Sequence, residues 1–348
     1  MSEPKDVLIP TVLIVGAGLG GLMLGAILEN ANISYHILER ATELRPLGSG
    51  IALTGNILPL FEQLGIYEEL KSISLPYVST EYYDVKLKDL GSTGSKEHNL
   101  IPKLQNLLRQ QVPAHKISMG KKVLRFKEYD KNVIVYCSDN TTFECSVLVG
   151  ADGTYSAVRQ NIYKQLEEEG SLTFGDKSSF SIGYITMVGI SSHPPEKYPQ
   201  LSDTTRTHFR LVIGEKSDSG YVATAPDNQI CWGVQLQLPG NKANDQHFRN
   251  SEWGPESIDS MLKQFQDFPC GFGGTMKDIF DATPKGSICK VFLEEKVFQT
   301  WYHGRSVLIG DACHKAIYRE EDFLPGAGQG NKRPMLPFLE NSTRDINQ

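Results

Sequence analysis

The segment from Val12 to Arg40 limits the possible folds of this chain more than any other. Its apolar run Val12–Val15 is short and β-branched, which predicts a buried strand. The run leads into the glycine-rich turn Gly16–Gly21 (GAGLGG), and a helix-forming stretch follows. A second apolar run, Tyr35–Leu38, predicts a strand that ends at Glu39. This order of strand, glycine turn, helix, strand and acid is the fingerprint of a dinucleotide-binding unit.

Each glycine at a motif position has a physical role. Gly16 allows a tight turn, Gly18 has no Cβ to keep a pyrophosphate from the backbone, and Gly21 lets the helix pack closely on the strand. The helix N-terminus offers N–H groups and a partial positive charge to phosphates. Glu39 follows Gly16 by 23 residues, near the spacing of about 20 expected for an acid that accepts ribose hydroxyls. The alternative is a glycine turn that only packs a helix on a sheet.

Charge and cysteine content narrow the class of protein. The 348 residues have a net charge of −6 and no basic run, which argues against nucleic acid as a partner. The length allows two domains with sizeable cores. The six cysteines have no metal-ligand spacing, so we expect reduced, buried thiols, no metal site and a cytoplasmic protein. The uncharged stretch 11–28 contains several glycines, so we expect neither a membrane segment nor a signal peptide.

Two further acidic motifs follow predicted buried strands. The first, Gly150–Gly153 (GADG), precedes a helix that carries Ser156 and Arg159 on one face. An Asp at the carboxyl end of a strand either contacts a ligand in the crevice there or caps the following helix. The second motif ends a strand at Asp311, and the glycine-rich turn Leu324–Gly330 (LPGAGQG) comes after it.

The elements between these motifs change character along the chain. We expect one amphipathic helix over 57–70 and an exposed polar loop over 90–99. From about 174 to 238, alternating strands at hairpin spacing predict an antiparallel sheet. Gly50 and Ala52 belong to a segment that either brings the backbone close to a bound cofactor or is a simple turn.

The motifs GAGLGG…ER, GADGTYSAVR and LIGDACH…LPGAGQG stand in one order along the chain. In that order they resemble the class A FAD-dependent monooxygenases of the para-hydroxybenzoate hydroxylase fold, in particular fungal relatives of salicylate hydroxylase and zeaxanthin epoxidase. The resemblance implies an α/β fold, in which a Rossmann-like, three-layer FAD-binding domain is interleaved with an antiparallel β-sheet substrate domain. The implied boundaries are 8–170 and 290–330 for the FAD-binding domain, 171–289 for the substrate domain, and 331–348 for an atypical, disordered tail.

The resemblance also implies a cofactor, co-substrates and binding residues. FAD would be reduced by NAD(P)H, and O2 would then give a C4a-hydroperoxyflavin that transfers one oxygen atom to a small aromatic or isoprenoid-like substrate. The cofactor carries this chemistry, so no side chain is assigned as catalytic. The residues implied in cofactor binding are Gly16, Gly18, Gly21, Glu39, Arg40, Gly50, Ala52, Asp152, Gly153, Asp311, Pro325, Gly326, Gly328, Gln329 and Gly330.

Three features depart from the family's pattern. The family places an Arg that contacts the flavin just before the helix near 104, where this chain has Ile101. An additional charged stretch, 316–323, separates the Asp311 motif from the glycine-rich turn. After Gly330 the family continues with a helix, whereas this chain has two prolines and stops, so we expect a truncated protein. The alternatives are another FAD-fold oxidoreductase, such as a reductase of the geranylgeranyl type, or an inactive flavin-fold remnant.

Overall fold

A computed structural model describes residues 9–44, 50–53, 55–101, 103–215, 218–238 and 255–315, and all of them fall within one compact unit. The strands are β1 Val12–Val15, β2 Tyr35–Leu38, β3 Ile51–Leu53, β4 Leu75–Asp84, β5 Asp89–Ile101, β6 Ile117–Ser118, β7 Val123–Glu128, β8 Val133–Cys137, β9 Thr142–Cys145, β10 Val147–Gly150, β11 Ser181–Ser192, β12 Thr207–Ile213, β13 Asp218–Ala225, β14 Gln229–Gln237, β15 Cys289–Val297, β16 Tyr302–His303, β17 Ser306–Leu308 and β18 His314–Lys315. The α-helices are α1 Leu19–Asn30, α2 Leu58–Gln63, α3 Tyr67–Ser72, α4 Leu104–Gln110, α5 Ala157–Glu168, α6 Phe174–Lys177, α7 Pro255–Phe265 and α8 Met276–Asp281.

The first sheet has the strand order β16-β17-β10-β1-β2-β6, and every pair except β16–β17 is parallel. Successive residues of a strand point to opposite faces. In β1, Leu13 and Val15 therefore pack against α5 and the β7-β8-β9 sheet, whereas Ile14 packs toward α1 and α4. Both faces of the sheet are covered, which explains why β1 is apolar throughout. This Rossmann-like, three-layer arrangement confirms the predicted α/β fold.

The second sheet has the order β18-β15-β11-β14-β13-β12-β4-β5-β3. One of its faces packs on α7 and α8, where Trp232, Phe265 and Phe280 belong to one core cluster. The antiparallel strands predicted between 174 and 238 are present as β11 to β14. The sheet is mixed, however, because β12 pairs in parallel with β4. It also takes β3, β4 and β5 from residues 51–101, a part of the chain implied to belong to the FAD-binding domain.

The prediction of a loop over 90–99 was wrong. These residues form most of β5, which pairs antiparallel with β4. The segment has few apolar side chains, so its strand character comes from the neighbouring strand. One cross-strand contact is the hydrogen bond between the hydroxyl groups of Tyr82 and Thr93, at 2.9 Å. Such pairs stabilise a sheet even where its strand faces water.

The single helix predicted over 57–70 was also wrong. The structure contains two short helices, α2 and α3, separated by Gly65. Gly65 has a φ of 72°, a left-handed conformation that ends a helix and that glycine adopts without steric cost. The apolar periodicity continues across this break because Phe61 and Leu70 pack into the same core cluster.

A buried carboxylate connects three segments of the chain beside α5. Asp176, which is 4% exposed, accepts hydrogen bonds at Oδ1 from the Gln299 N–H at 2.7 Å and the Tyr163 hydroxyl at 3.0 Å. Its Oδ2 accepts from the Thr173 hydroxyl at 2.9 Å and the Thr300 N–H at 3.1 Å. Burial alone raises the pKa of a carboxyl group, but these four donors outweigh burial and lower the pKa of Asp176.

We expect Asp176→Asn to lower the free energy of unfolding by about 2 kcal/mol at neutral pH, because hydrogen bonds to a charged acceptor are lost. The folded-state pKa lies below the unfolded value of about 3.9, so the carboxylate stabilises the fold above about pH 4, and this stabilisation is lost as the pH falls through the folded-state pKa. Urea unfolding of the wild type and the Asp176→Asn variant, at pH 7 and below pH 4, measures the difference between their free energies of unfolding. A difference that stays constant down to pH 3 would contradict this assignment.

Candidate functional site

The carboxyl ends of β1, β2, β10 and β17 meet at one edge of the first sheet. Val15 is in register with Leu38 on one side and with Gly150 on the other, and Gly150 is in register with Leu308. The strand order reverses at β1, because β2 lies on one side of it and β10 on the other, and ligands bind at such switch points in open α/β sheets. We call this the carboxyl edge, and it carries Gly16–Gly21, Glu39, Asp152 and Asp311.

The glycine turn after β1 is shaped by close packing at two positions and open at a third. Gly16 has a φ of 107°, and a Cβ there would lie 2.3 Å from the carbonyl oxygen of Ala151. A Cβ at Gly21 would lie 1.9 Å from the carbonyl oxygen of Gly16. A Cβ at Gly18, by contrast, would meet no described atom within 4 Å. Packing therefore requires Gly16 and Gly21, whereas Gly18 leaves the backbone accessible to a ligand.

The N-terminus of α1 lies directly behind this opening. No described side chain caps it, and its first turn contains no acidic residue. The first intrahelical hydrogen bond runs from the Leu22 N–H to the Gly18 carbonyl at 2.9 Å. The N–H groups of residues 19–21 precede that bond, so they have no partner within the helix. Such a terminus suits a phosphate.

Glu39 is held in place by two backbone donors. The N–H of Ala17 donates to Oε2 at 2.7 Å, and the N–H of Ala41 donates to Oε1 at 2.8 Å. Each carboxylate oxygen has a second lone pair, so the group keeps acceptor capacity for hydroxyl donors of a ligand. Arg40 follows it and is exposed. The acid predicted from the spacing thus contacts the glycine turn directly.

Asp152 caps a helix with one oxygen and leaves the other without a partner. Its Oδ2 accepts from the N–H of Ala157 at 2.6 Å and the N–H of Val158 at 3.2 Å. Its Oδ1 is buried and has no hydrogen-bond partner among the described residues. A buried acceptor of this kind calls for a donor from outside the described chain, so both interpretations of Asp152 fit one side chain. Gly153 follows it at the same edge.

Arg159 joins the segments after β10 and β17, a role that the sequence analysis missed. The guanidinium donates to the carbonyls of Ala312 at 2.8 Å and Thr154 at 2.6 Å, and it lies 4.1 Å from the ring centroid of Phe298. Burial lowers its pKa. The sequence placed Arg159 on one helix face with Ser156, whose hydroxyl caps the helix, but its partner in the Asp311 turn is too distant along the chain to be inferred.

The Asp311 turn reaches the same place from β17. Asp311 lies in a 3-10 turn, Gly310–Ala312. Its Oδ2 accepts a long hydrogen bond, 3.4 Å, from the hydroxyl of Thr154, two residues after Asp152. The two acidic motifs therefore converge, as their positions after neighbouring parallel strands require.

The remaining sequence-derived candidates lie elsewhere or outside the described residues. Gly50 precedes β3, and Ala52 lies exposed in β3 at one end of the second sheet. That strand pairs with β5 just before α4, and Gln105 of α4 donates to the carbonyl of Ala17 in the glycine turn at 3.4 Å. The residues outside the described ranges are Pro325, Gly326, Gly328, Gln329 and Gly330.

The described residues contain neither a metal-binding cluster nor a membrane-spanning helix. No group of His, Cys, Asp and Glu side chains there is arranged to hold a metal ion. Within the same ranges, every helix is too short or too polar to span a membrane. The cysteines are free thiols, and all but Cys289 are fully buried.

The fold and the carboxyl edge are typical of dinucleotide-binding α/β proteins. Residues 10–182 match the family model described as the FAD binding domain. This part of the chain therefore resembles that FAD-binding domain, and the chain's resemblance to the class A FAD-dependent monooxygenases is confirmed.

Individual relatives agree with this resemblance. The chain is 27% identical to the FAD-dependent monooxygenase esdpE of Penicillium shearii, over 92% of this chain and 65% of that protein. It is 27% identical to the aurachin C monooxygenase/isomerase of Stigmatella aurantiaca, over 92% of this chain and 76% of that protein. The crystal structure of Klebsiella pneumoniae HpxO with FAD and uric acid superposes with a TM-score of 0.66 at 17% identity, over 89% of this chain and 76% of that one. The chain thus spans about two thirds of the length of esdpE.

We expect Gly18→Ala and Gly21→Ala to have different effects. Gly18→Ala should raise the Kd for FAD at least about 10-fold, or 1.4 kcal/mol, because its methyl group occupies the opening. In the absence of FAD, Gly18→Ala should change the free energy of unfolding by less than about 1 kcal/mol. Gly21→Ala should lower that free energy by about 3 kcal/mol, because its methyl group overlaps the Gly16 carbonyl. Flavin fluorescence titration and urea unfolding measure the two quantities, and equal losses of stability would contradict the packing argument.

Arg159→Lys should lower the free energy of unfolding by about 2 kcal/mol, because an ammonium group cannot span both carbonyls and one stays buried without a donor. Arg125→Lys is the matched control, since Arg125 is exposed and lies over the Tyr136 ring at 3.7 Å. We expect the control to lose less than about 1 kcal/mol. Urea unfolding measures the loss in free energy of unfolding for both variants. Equal losses would contradict the prediction that the two hydrogen bonds of Arg159 stabilise the fold.

Proposed function

We propose that the protein is an FAD-dependent monooxygenase that uses NAD(P)H and O2 to insert one oxygen atom into a small aromatic or isoprenoid-like substrate. The observation that carries the proposal is the convergence of three separated motifs, with Gly18, Glu39, Asp152 and Asp311, on one carboxyl edge. The names of the relatives support it, since two of them are called monooxygenases. The FAD and uric acid bound to HpxO support a small-molecule substrate.

The chain's own residues would bind and orient FAD, which when bound supplies the redox and oxygen chemistry. The N–H groups at the start of α1 and the open backbone at Gly18 would accept the diphosphate. Glu39 has acceptor capacity for ribose hydroxyls, and Asp152 Oδ1 is a buried acceptor that lacks a donor. Asp311, on the far side of β10, would accept a hydroxyl of the ribityl chain. These residues follow four adjacent strands, so an extended dinucleotide matches their spread.

We propose that the substrate packs on the face of the second sheet that is turned away from its core. Trp232 lies on the core face, so its neighbour Gly233 and the residues in register with it, Tyr221 and Leu211, lie on the other face. There the rings of Phe209 and Tyr221 stack, with centroids 5.2 Å apart and planes 16° apart. A Cβ at Gly233 would lie 2.2 Å from the Tyr221 ring, so glycine allows the ring to lie flat on the sheet. Such a surface suits planar or apolar molecules.

A second candidate is a chain that binds FAD without oxygenating a substrate. The observation in its favour is the position where the resembled family has an Arg. Ile101 is fully buried and pairs with Ile51. The nearby cation, Lys103, has its Nζ 2.9 Å from Asp227 Oδ2. A compact ammonium group held in this way does not replace a planar guanidinium.

We expect the purified protein to show flavin absorbance, or to gain it on addition of FAD. It should oxidise NAD(P)H with matching O2 uptake, and one or more members of a panel of aromatic and isoprenoid compounds should stimulate the rate. Absorbance and an oxygen electrode measure this, with Gly18→Ala as the variant of weakened FAD binding.

The other outcomes separate the alternatives. A flavin-loaded protein that oxidises no NAD(P)H favours the second candidate. Substrate-dependent NAD(P)H oxidation without O2 uptake points to another FAD-fold oxidoreductase. A colourless protein that fails to bind added FAD would contradict the proposed function altogether.

A further inference from the structure

Glu294 is a buried carboxylate that is not part of the carboxyl edge. It lies in β15 of the second sheet and is 1% exposed. Its Oε1 accepts a hydrogen bond from the hydroxyl of Tyr155 at 2.5 Å, and its Oε2 lies 3.8 Å from Nζ of Lys315. A buried carboxylate is tolerated only when donors and opposite charge compensate it. Part of this compensation comes from two segments that are distant from Glu294 in the sequence.

Both of those segments carry cofactor motifs. Tyr155 belongs to the segment that begins at Asp152, and Lys315 follows Asp311 by four residues. Nζ of Lys315 also donates a hydrogen bond to the hydroxyl oxygen of Thr154 at 3.0 Å. The Thr154 hydroxyl in turn donates to Asp311 Oδ2 at 3.4 Å. One hydroxyl acts as acceptor and donor at the same time, as its chemistry allows. A continuous polar chain thus runs from the second sheet to the Asp311 carboxylate.

The energetics of these polar contacts favour a positioning role for Glu294 and Lys315. A buried ion pair contributes little net stability compared with apolar residues of the same size, because desolvation offsets the attraction. The geometry around the pair, however, is fixed by the hydrogen bond that Glu294 accepts from Tyr155 and by those that Thr154 makes with Lys315 and Asp311. The ammonium group of Lys315 therefore determines which way the Thr154 hydroxyl donates, and so orients Asp311 at the carboxyl edge.

We propose that Glu294 and Lys315 are positioning residues that hold the Asp152 and Asp311 segments against the second sheet and orient the Asp311 carboxylate through Thr154. The inference rests on the proposed function for its consequence, which is a higher affinity for FAD. The contacts of Lys315 with Glu294 and Thr154 are made within the polypeptide and do not depend on FAD. The pair would fix the distance between the cofactor-binding edge and the sheet proposed to contact the substrate.

The test uses Lys315→Met, Glu294→Gln, the double variant, and Lys315→Arg as the conservative substitution. Lys315→Met removes the Lys315 cation from beside the buried Glu294 carboxylate, so the thermal midpoint of this variant should fall by about 5 °C or more. The double variant removes both charges, so its midpoint should return to within about 2 °C of the wild type. Lys315→Arg keeps a cation and should retain most of the wild-type behaviour.

Two readouts separate positioning from stability. In the double variant we expect amide hydrogen exchange of segments 151–159 and 309–315 to be about 10-fold faster than in the wild type, despite the restored midpoint. We also expect the Kd for FAD, measured by flavin fluorescence, to stay about 10-fold above the wild-type value. The matched control pair is Lys116→Met with Glu29→Gln, which removes the partly buried ion pair between Lys116 and Glu29 (2.6 Å) and does not touch either segment.

Each outcome decides a separate claim. Wild-type exchange in both segments of the double variant would overturn the proposal, as would a Kd for FAD that returns to the wild-type value together with the midpoint. If the wild-type protein binds no FAD, the proposed function fails, and hydrogen exchange still decides the positioning role. If it binds FAD but oxidises no NAD(P)H, the activity fails while both readouts still apply.

Discussion

The parallel pairing of β1 with β2 and β10 is the constraint on which the rest of the structure depends. It requires an apolar β1, covered on both faces, and it brings the carboxyl ends of β1, β2 and β10 to one level. The close approach of β10 to its other neighbours depends on Gly150, where a Cβ would lie 2.8 Å from side-chain atoms of both Leu308 and Val158. With β17 added in register, residues from three separated parts of the sequence become neighbours. The candidate site is a consequence of this pairing.

Local signals were enough to predict the geometry of the first half of the candidate site. The GAGLGG turn, the flanking strand and Glu39 lie within a short stretch whose spacing has a direct physical meaning. Asp152 and Asp311 were recognised as acids after buried strands, but their convergence depends on strand order, which no local pattern contains. The polar strand β5 was missed because its partner β4 determines its conformation. The prediction of a single helix over 57–70 was wrong because the helix is interrupted at Gly65, whereas the apolar periodicity continues across this break.

The contacts of Glu294 show what a closer use of periodicity could have found. In β15 the side chains of Phe292 and Glu294 are two residues apart, so they point to the same face, and both are buried. A charged residue on the buried face of a strand signals a compensating partner. The identity of that partner, Lys315, could not be inferred, because its short strand, β18, joins β15 only through the tertiary fold.

Three buried polar groups lie at or beside the carboxyl edge. Asp152 Oδ1, the Arg159 guanidinium and the Glu294 carboxylate are all removed from water, and each carries a desolvation cost. Two of them are compensated by donors or acceptors from other segments, and the third has an acceptor position available for a ligand. A protein selected for stability alone would place apolar side chains here. Buried polar groups of this kind are typical of a site whose geometry matters more than its stability.

The mixed pairing of the second sheet has a consequence for how the chain acquires its structure. β4 ends at Asp84, yet its parallel partner β12 begins at Thr207, and the first sheet is complete only when β17, at 306–308, joins β10. Contacts between such distant segments slow folding, because long loops must close before the contacts form. During synthesis the β4–β5 hairpin emerges long before β12 and leaves one edge without its partner. Assembly of this protein therefore depends on late segments, and exposed hairpin edges are the places where early chains would associate with each other.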